Sequence, residues 1–260
     1  MSNKISLLAD LYQQSSKHSN YQLLYPTIEK LLDLTQLDIT SRMEKERLDY
    51  MIGKLDFNDK TFADIGGNTG YFSFAALDNG AKSVSYYEGN VAHAKFVDLA
   101  AKQTNWNNRL TVSPYYINLE QDQLNNKVDV MFLLNVLHHI GDDYGEQINQ
   151  QGVFHHVENT FNNLANQTQY LIFQLGFNWK GDRNCPIFAN GTKSEMIEFV
   201  KQVSADNWDI KHIGIAEKKD DNVIYNELNT TNINRDDSLG EFLNRPIFIL
   251  KSKKVKYCYA

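Results

Sequence analysis

Residues 64–70 read Asp-Ile-Gly-Gly-Asn-Thr-Gly. An apolar run ends there in a carboxylate, and Gly66, Gly67 and Gly70 surround Asn68 before aromatic and small residues resume. Glycine lets a chain bend tightly and lets a ligand come close to the backbone with no Cβ in the way. Asn68 tolerates a left-handed conformation better than most residues and hydrogen-bonds locally. Roughly twenty residues beyond Gly66 stands Glu88, the spacing of an acid that accepts hydrogen bonds from both hydroxyls of a ribose. The turn does not follow the G-x-G-x-x-G of dinucleotide sites; its order is acid-x-Gly-x-x-x-Gly.

Further along, "VDVMFLLNVLHHI" brings His138 and His139 to the end of an apolar run. A histidine there suits proton removal from a hydroxyl, a contribution of about 10²–10⁴ in rate. The alternative is structural, one ring packed under the sheet edge and the other bonded to a loop. His155 and His156 form a second pair on the next predicted helix, with His155 flanking the apolar face and His156 pointing away. No cysteine or carboxylate spacing joins the pairs into a zinc site, and no metal is expected. In "GFNWKGDRNCPIFANGTK", Trp179, Lys180, Arg183 and Lys193 are candidates to hold an anionic substrate.

The elements that must position these residues follow from periodicity. Three helices are expected before Leu55: one with Ile5, Leu8 and Tyr12 on a face, one with Ile28, Leu31 and Leu32, and one capped by Thr40 or Ser41. Beyond Lys60 the pattern alternates. Strands are expected at "KTFADI", "KSVSYYE", "RLTVSPYYIN", "KVDVMFLLNVL" and "TQYLIFQLGF", with helices between most of them. One helix has Val91, Ala94, Phe96 and Leu99 as apolar surface; another has Phe154, Val157, Phe161 and Leu164 on one side. A further helix, "TKSEMIEFVKQVS", opens with a capping box. Two late strands, "WDIKHIGIAEK" and "RPIFILKSKK", flank a polar, Asn-rich insertion over 217–246. Alternating strands and helices imply parallel βαβ units in a doubly wound sheet. Two last strands with no helix between them imply an antiparallel hairpin. The expected fold is thus α/β and Rossmann-like, a mostly parallel seven-stranded sheet with N-terminal helices added.

The 260 residues suffice for one large domain, and 42% hydrophobic residues suffice for a sizeable core. A net charge of −6 argues against a long nucleic-acid partner. Cys185 and Cys258 lie far apart and form no framework. No leader-like segment and no run long enough to span a membrane is read, so a cytoplasmic location is expected.

Together, "ADIGGNTGYFSF", "VSYYEGN", "VDVMFLLNVLHHI" and "RPIFILKS" resemble the class I methyltransferases that use S-adenosylmethionine (SAM). Asn135-Val136-Leu137-His138 stands where the amino-methylating members carry [DN]-P-P-[YFW], which argues against that subgroup. Tyr21-Gln22, Arg42, "GYFSF" and "HHI" resemble more narrowly the methyltransferase module of bacterial enzymes that cap O-antigen polysaccharides by methylating a terminal phosphate. The resemblance implies a helical segment over 1–57 covering the cofactor site and a SAM-dependent domain over 58–260. It implies that Tyr21, Gln22 and Arg42 close the pocket, with Arg42 suited to the methionine carboxylate. Asp64 and Gly66 would lie under the methionine part and Glu88 on the ribose, with Gly67, Asn68 and Gly70 completing the cofactor-binding turn. Asn118, or alternatively Glu120, would meet the adenine edge, and Asn135 the methionine end. The implied activity is O-methylation of a sugar, sugar phosphate or related anionic cell-surface precursor. Other readings are a small-molecule methyltransferase of specialised metabolism, an RNA methyltransferase, and a silent SAM-binding partner subunit.

Overall fold

A computed structural model describes residues 2–14, 21–32, 35, 37, 39–145, 148–220 and 222–255, with side chains from residue 7 onward. Ile5, as a side chain, and Cys258 lie outside the described residues. The chain divides into two compact units, one comprising 1–48 and 56–116, the other 49–55 and 117–260.

In the first unit, β1 (Thr61–Ile65), β2 (Ser83–Tyr87) and β3 (Leu110–Ser113) lie parallel in the order β3–β2–β1. Their registers pair Ile65 with Tyr87 and Tyr87 with Ser113, so all three strands end in one row. Helix α4 (Tyr71–Asp78) follows β1 and is buried from Tyr71 to Leu77. Its apolar residues lie all round rather than on one stripe, as in a helix enclosed by protein. Helix α5 (Val91–Lys102) starts at Asn90, whose side chain accepts from the N–H groups of Ala92 and His93. Ala94 and Phe96 are buried as expected, whereas Val91 is 52% exposed. Helix α1 (Ser2–Gln13) packs on α5, with the Tyr12 and Phe96 rings 5.8 Å apart.

Helix α2 is a single turn, Pro26–Glu29, and Leu31 and Leu32 fall beyond its end. Helix α3 runs over Glu44–Lys54 and does not start at Thr40 or Ser41. Met43 takes φ 55, which breaks the helix path. Ser41 instead accepts the Met43 N–H through its hydroxyl, and the Glu44 carboxylate accepts the Arg42 N–H.

In the second unit, β4 (Val128–Leu134) and β5 (Thr168–Gln174) are parallel, and β8 (Ile247–Ser252) and β6 (Trp208–Lys219) continue antiparallel. An eighth strand, β7 (Asn222–Glu227), pairs antiparallel with β6 outside it. This strand lies inside the insertion expected as polar, its Val223-Ile224-Tyr225 centre half-buried to buried between exposed Asn222, Asn226 and Glu227. Helix α6 (Gly152–Leu164) buries Val153, Val157, Phe161 and Leu164; Phe154 sits off that face, 36% exposed, against Phe188 and Phe199. Helix α7 (Lys193–Ser204) has the full capping box of Thr192 and Glu195. A short α8 (Gly240–Leu243) precedes β8. No described helix is long and apolar enough to cross a membrane.

The fold is α/β and Rossmann-like, mostly parallel, with an antiparallel C-terminal end.

Candidate functional site

The row of strand ends in the first unit gathers the glycine turn and Glu88. Gly66 and Gly70 take φ 66 and 82, and Asn68 takes φ 52. These left-handed positions fold the chain back between β1 and α4, which only glycine and asparagine do at small cost. Gly67 is glycine for a different reason. A Cβ there would lie 2.5 Å from the Tyr86 ring and 2.8 Å from the Asp64 carboxylate. Packing beneath the turn, rather than ligand approach, demands that glycine.

Glu88 leaves β2 with its carboxylate fixed by two backbone donors, Asn68 N–H at 2.9 Å and Asn90 N–H at 2.8 Å. Asp64 is buried and accepts from the Ser73 hydroxyl at 2.6 Å. Burial, together with the nearby Glu88 charge, pushes its carboxyl up to about 7 against the bond from Ser73. Gln22 is tied to the same turn. Its amide oxygen accepts from the Thr69 hydroxyl and the Tyr71 N–H, both at 3.1 Å, and so caps α4. Its neighbour Tyr21 is 44% exposed and lies under the Arg42 guanidinium, 4.8 Å from ring centre to Cζ. Seven of the residues singled out for the cofactor, with Arg42 and Tyr21 beside them through Gln22, therefore occur around one turn.

These residues fit an adenosyl amino acid. A carboxylate has about four acceptor sites, and two N–H groups hold this one in a fixed orientation, as a vicinal diol requires. Asp64 is raised by burial and a neighbouring anion, the environment that a ligand ammonium relieves.

Most of the predicted residues in the second unit are held by contacts within that unit. Asn135, at the end of β4, takes φ 62; its amide donates to Gln174 Oε1 and accepts from Arg245, each at 2.8 Å. Arg245 also grips Glu241 through two nitrogens, and Glu241 accepts the Phe177 N–H. Burial pushes the Glu241 carboxyl up, but the Arg245 charge outweighs it and holds the group below its usual range. Sequence reading missed Arg245, Glu241 and Gln174. The only signal was an arginine just before the last strand.

His138 is buried, and its Nδ1 accepts the Gly176 N–H at 3.2 Å, which puts the proton of the neutral ring on Nε2. Its ring lies 4.3 Å from that of His139. His139 is partly open, with Nδ1 3.1 Å from the Asp143 carboxylate. The contact is one of proximity, a carboxylate that favours the protonated form of the ring. Asp142 joins them, and the three groups present ligand atoms within 4.8 Å of one another.

The four candidates stand in the loop after β5 and at the start of the next helix. Trp179 donates through its indole to the Ile140 carbonyl, which ties it to the histidine turn, and Lys180 lies over its ring at 4.2 Å. Arg183 is exposed. Lys193 is a correction: it is 2% exposed, and its ammonium donates to the carbonyls of Asn232 and Asn234. It pins the insertion and is not offered to a substrate. Asn118 is likewise exposed and accepts the Glu120 N–H in a local turn. His156 reverses the expectation for the second pair. It is buried between the Tyr144 hydroxyl and the Glu120 carboxylate, whereas His155 is exposed beside Glu158. Burial pushes Glu120 up, but bonds from His156 and Asn159 hold it below the usual range.

No family model matches the chain. It is similar to the tRNA U34 carboxymethyltransferase of Helicobacter pylori (strain G27), 26% identical over 108 residues, 41% of this chain and 41% of the relative. The chain thus matches about two fifths of the length of its curated relatives. Among solved structures it is similar to WbdD in complex with the kinase inhibitor LY294002, with a TM-score of 0.59 and 16% identity over 94% of this chain and 47% of that one. A second WbdD structure, described as a bifunctional kinase-methyltransferase, gives 0.56 at 16% identity over 94% and 46%. These likenesses establish the methyltransferase fold.

Proposed function

We propose that the chain is a SAM-dependent methyltransferase acting on an oxygen of an anionic sugar, sugar phosphate or glycan precursor. The observation that carries the cofactor assignment is the Glu88 carboxylate held by Asn68 and Asn90 beside the left-handed glycine turn. When bound, SAM supplies a methyl group already activated by its sulfonium. The protein then has to bind, orient and align. Glu88 would hold the ribose, Asp64 would sit at the ammonium end, and Arg42, backed by Tyr21, would pair with the carboxylate of the amino acid.

On the acceptor side, Trp179, Lys180 and Arg183 supply an aromatic surface and two positive charges. A phosphate oxygen needs no base. A hydroxyl acceptor would hand its proton to His139, with the nearby Asp143 charge favouring the imidazolium. His138 serves as support, because its Nδ1 holds the Gly176 N–H. The glycan reading rests on the motif resemblance of Tyr21-Gln22, Arg42 and "HHI" and on the charged loop after β5.

A tRNA acceptor is the second reading, favoured by the match to the Helicobacter relative. The net charge of −6 weighs against it.

Methyl-labelled SAM incubated with the protein and, in parallel, with sugar phosphates, glycan precursors and total tRNA separates the readings by where label appears. Glu88→Ala should weaken SAM binding by roughly 1.5–3 kcal/mol, the range for hydrogen bonds to a charged group. Calorimetry showing no SAM binding by folded wild type would sink the assignment.

A further inference from the structure

Tyr144 closes the turn that carries His139, Asp142 and Asp143. Its carbonyl accepts the Gly141 N–H at 2.8 Å, and Ile140 and Tyr144 pair across the turn. The Ile140 carbonyl holds the Trp179 indole at 2.9 Å, and a Cβ on Gly181 would lie 3.8 Å from the His139 ring. The place of this turn therefore sets how His139 meets the loop after β5.

The side chain of Tyr144 ends on α6. Its hydroxyl lies 3.0 Å from His156 Nε2. On the other side of that ring, Nδ1 meets one oxygen of Glu120, and the second Glu120 oxygen accepts the Asn159 amide at 3.0 Å. An ionised carboxylate only accepts, so the neutral ring has one consistent arrangement. Nδ1–H donates to Glu120, and the Tyr144 hydroxyl donates to Nε2. Burial pushes the imidazole below its usual range, against the bond from Glu120, and so favours the neutral ring near neutral pH. Around His156, α6 buries Val153, Val157 and Phe161. Two phenylalanines in place of Tyr144 and His156 would suit such surroundings, but apolar burial has no direction. A hydrogen bond fixes where the end of a ring sits.

We propose that His156 is a positioning residue for the acceptor end of the site: its bonds to Glu120 and Tyr144 set the 139–144 turn, and through it His139 and Trp179. The inference rests on the acceptor reading above and adds His156, Tyr144 and Glu120 to it.

Nitrogen-15 NMR of the histidine rings and indole N–H groups tests this on the full chain, with circular dichroism to verify folding. Wild-type His156 should show a protonated Nδ1 and a bare Nε2. In Tyr144→Phe the His139 ring and Trp179 indole signals should move, while that of Trp106, in the first unit, stays. Affinity for S-adenosylhomocysteine should remain within about twofold of wild type, whereas label transfer from methyl-labelled SAM to a mixture of sugar phosphates should fall about tenfold or more, since a misplacement of about 1 Å costs up to about 10²-fold. The double variant Tyr144→Phe/His156→Phe should unfold in urea no earlier than Tyr144→Phe, because both polar partners are gone. It should nevertheless keep the displaced Trp179 signal and the slow transfer. A His156 proton on Nε2 in wild type, or a Trp179 signal at its wild-type position in either variant, would overturn the positioning role and leave the cofactor reading standing. Wild type that transfers no label to the mixture overturns the acceptor reading, while the ring and indole spectra still decide whether His156 sets the turn.

Discussion

Glu88 in the first unit is held by Asn68 and Asn90, twenty and two positions away in the chain. Asn135 in the second unit is held by Gln174 and Arg245, 39 and 110 positions away. Both residues stand at the end of a parallel strand. One is framed by its own turn and its neighbour strand's turn; the other is framed by an insertion that returns from far along the sequence. The polar side chains at the first set of strand ends are therefore fixed by backbone donors of the adjoining turns. Those at the second set are largely committed to one another and to loops. The lesson is that a residue type near a strand end reports binding only where local backbone geometry already fixes its orientation. Where orientation depends on distant partners, the same residue type is as often a brace.

The sharpest way to break this contrast is at Arg245. Arg245→Ala leaves Glu241 largely buried without its partner and frees the Asn135 amide. A loss of about 3–5 kcal/mol of stability is expected, the scale for breaking one side of a buried pair. Urea unfolding measures it. A change under about 1 kcal/mol would show that the second unit's network is ornamental to stability.

A smaller effect is expected at Lys193. Lys193→Met removes the donor to the carbonyls of Asn232 and Asn234 and should cost about 1.5–3 kcal/mol. The acceptor KM of the surviving folded enzyme should stay as in wild type, while Arg183→Ala raises it. A raised KM in Lys193→Met with unchanged stability would return Lys193 to the substrate and erase the contrast at that position.

The smallest effect sharpens the first unit. Asp64, pushed up to about 7 by burial, lies above its ordinary 3.8. A raised carboxyl adds stability that is complete below the ordinary value and lost as pH rises through 7. A cationic ammonium on the ligand favours the ionised form. Affinity for S-adenosylhomocysteine should therefore climb by up to about tenfold per pH unit as pH rises toward 7, then level off. Asp64→Asn should flatten that profile. An unchanged profile in the variant would remove Asp64 from the amino-acid end of the ligand.

Much of this was legible in the residues. The strands from "KTFADI" to "RPIFIL" and their helices were readable because period-2 and period-3.6 burial is local information. The left-handed turn was readable because glycine and asparagine are the residues that adopt it cheaply. His156 was not readable. Its place opposite the apolar stripe of α6 suggested solvent, and only Tyr144 and Glu120, from loops that fold over it, make a buried site for a histidine. Strand β7 escaped for a related reason: its short Val223-Ile224-Tyr225 centre is set among polar residues, and the strand is defined by its pairing with β6.

The sequence by itself determined the alternation of strands and helices, the turn at Gly66–Gly70 and an acid at the following strand end. These depend on side-chain sterics and spacing along a short stretch of chain. Tertiary structure alone decided that Gly67 makes room for Tyr86, that Lys193 closes on the insertion and that Arg245 braces Asn135. Each of those requires two segments, distant in the chain, to meet at a definite distance, and residue type carries no record of which segment arrives.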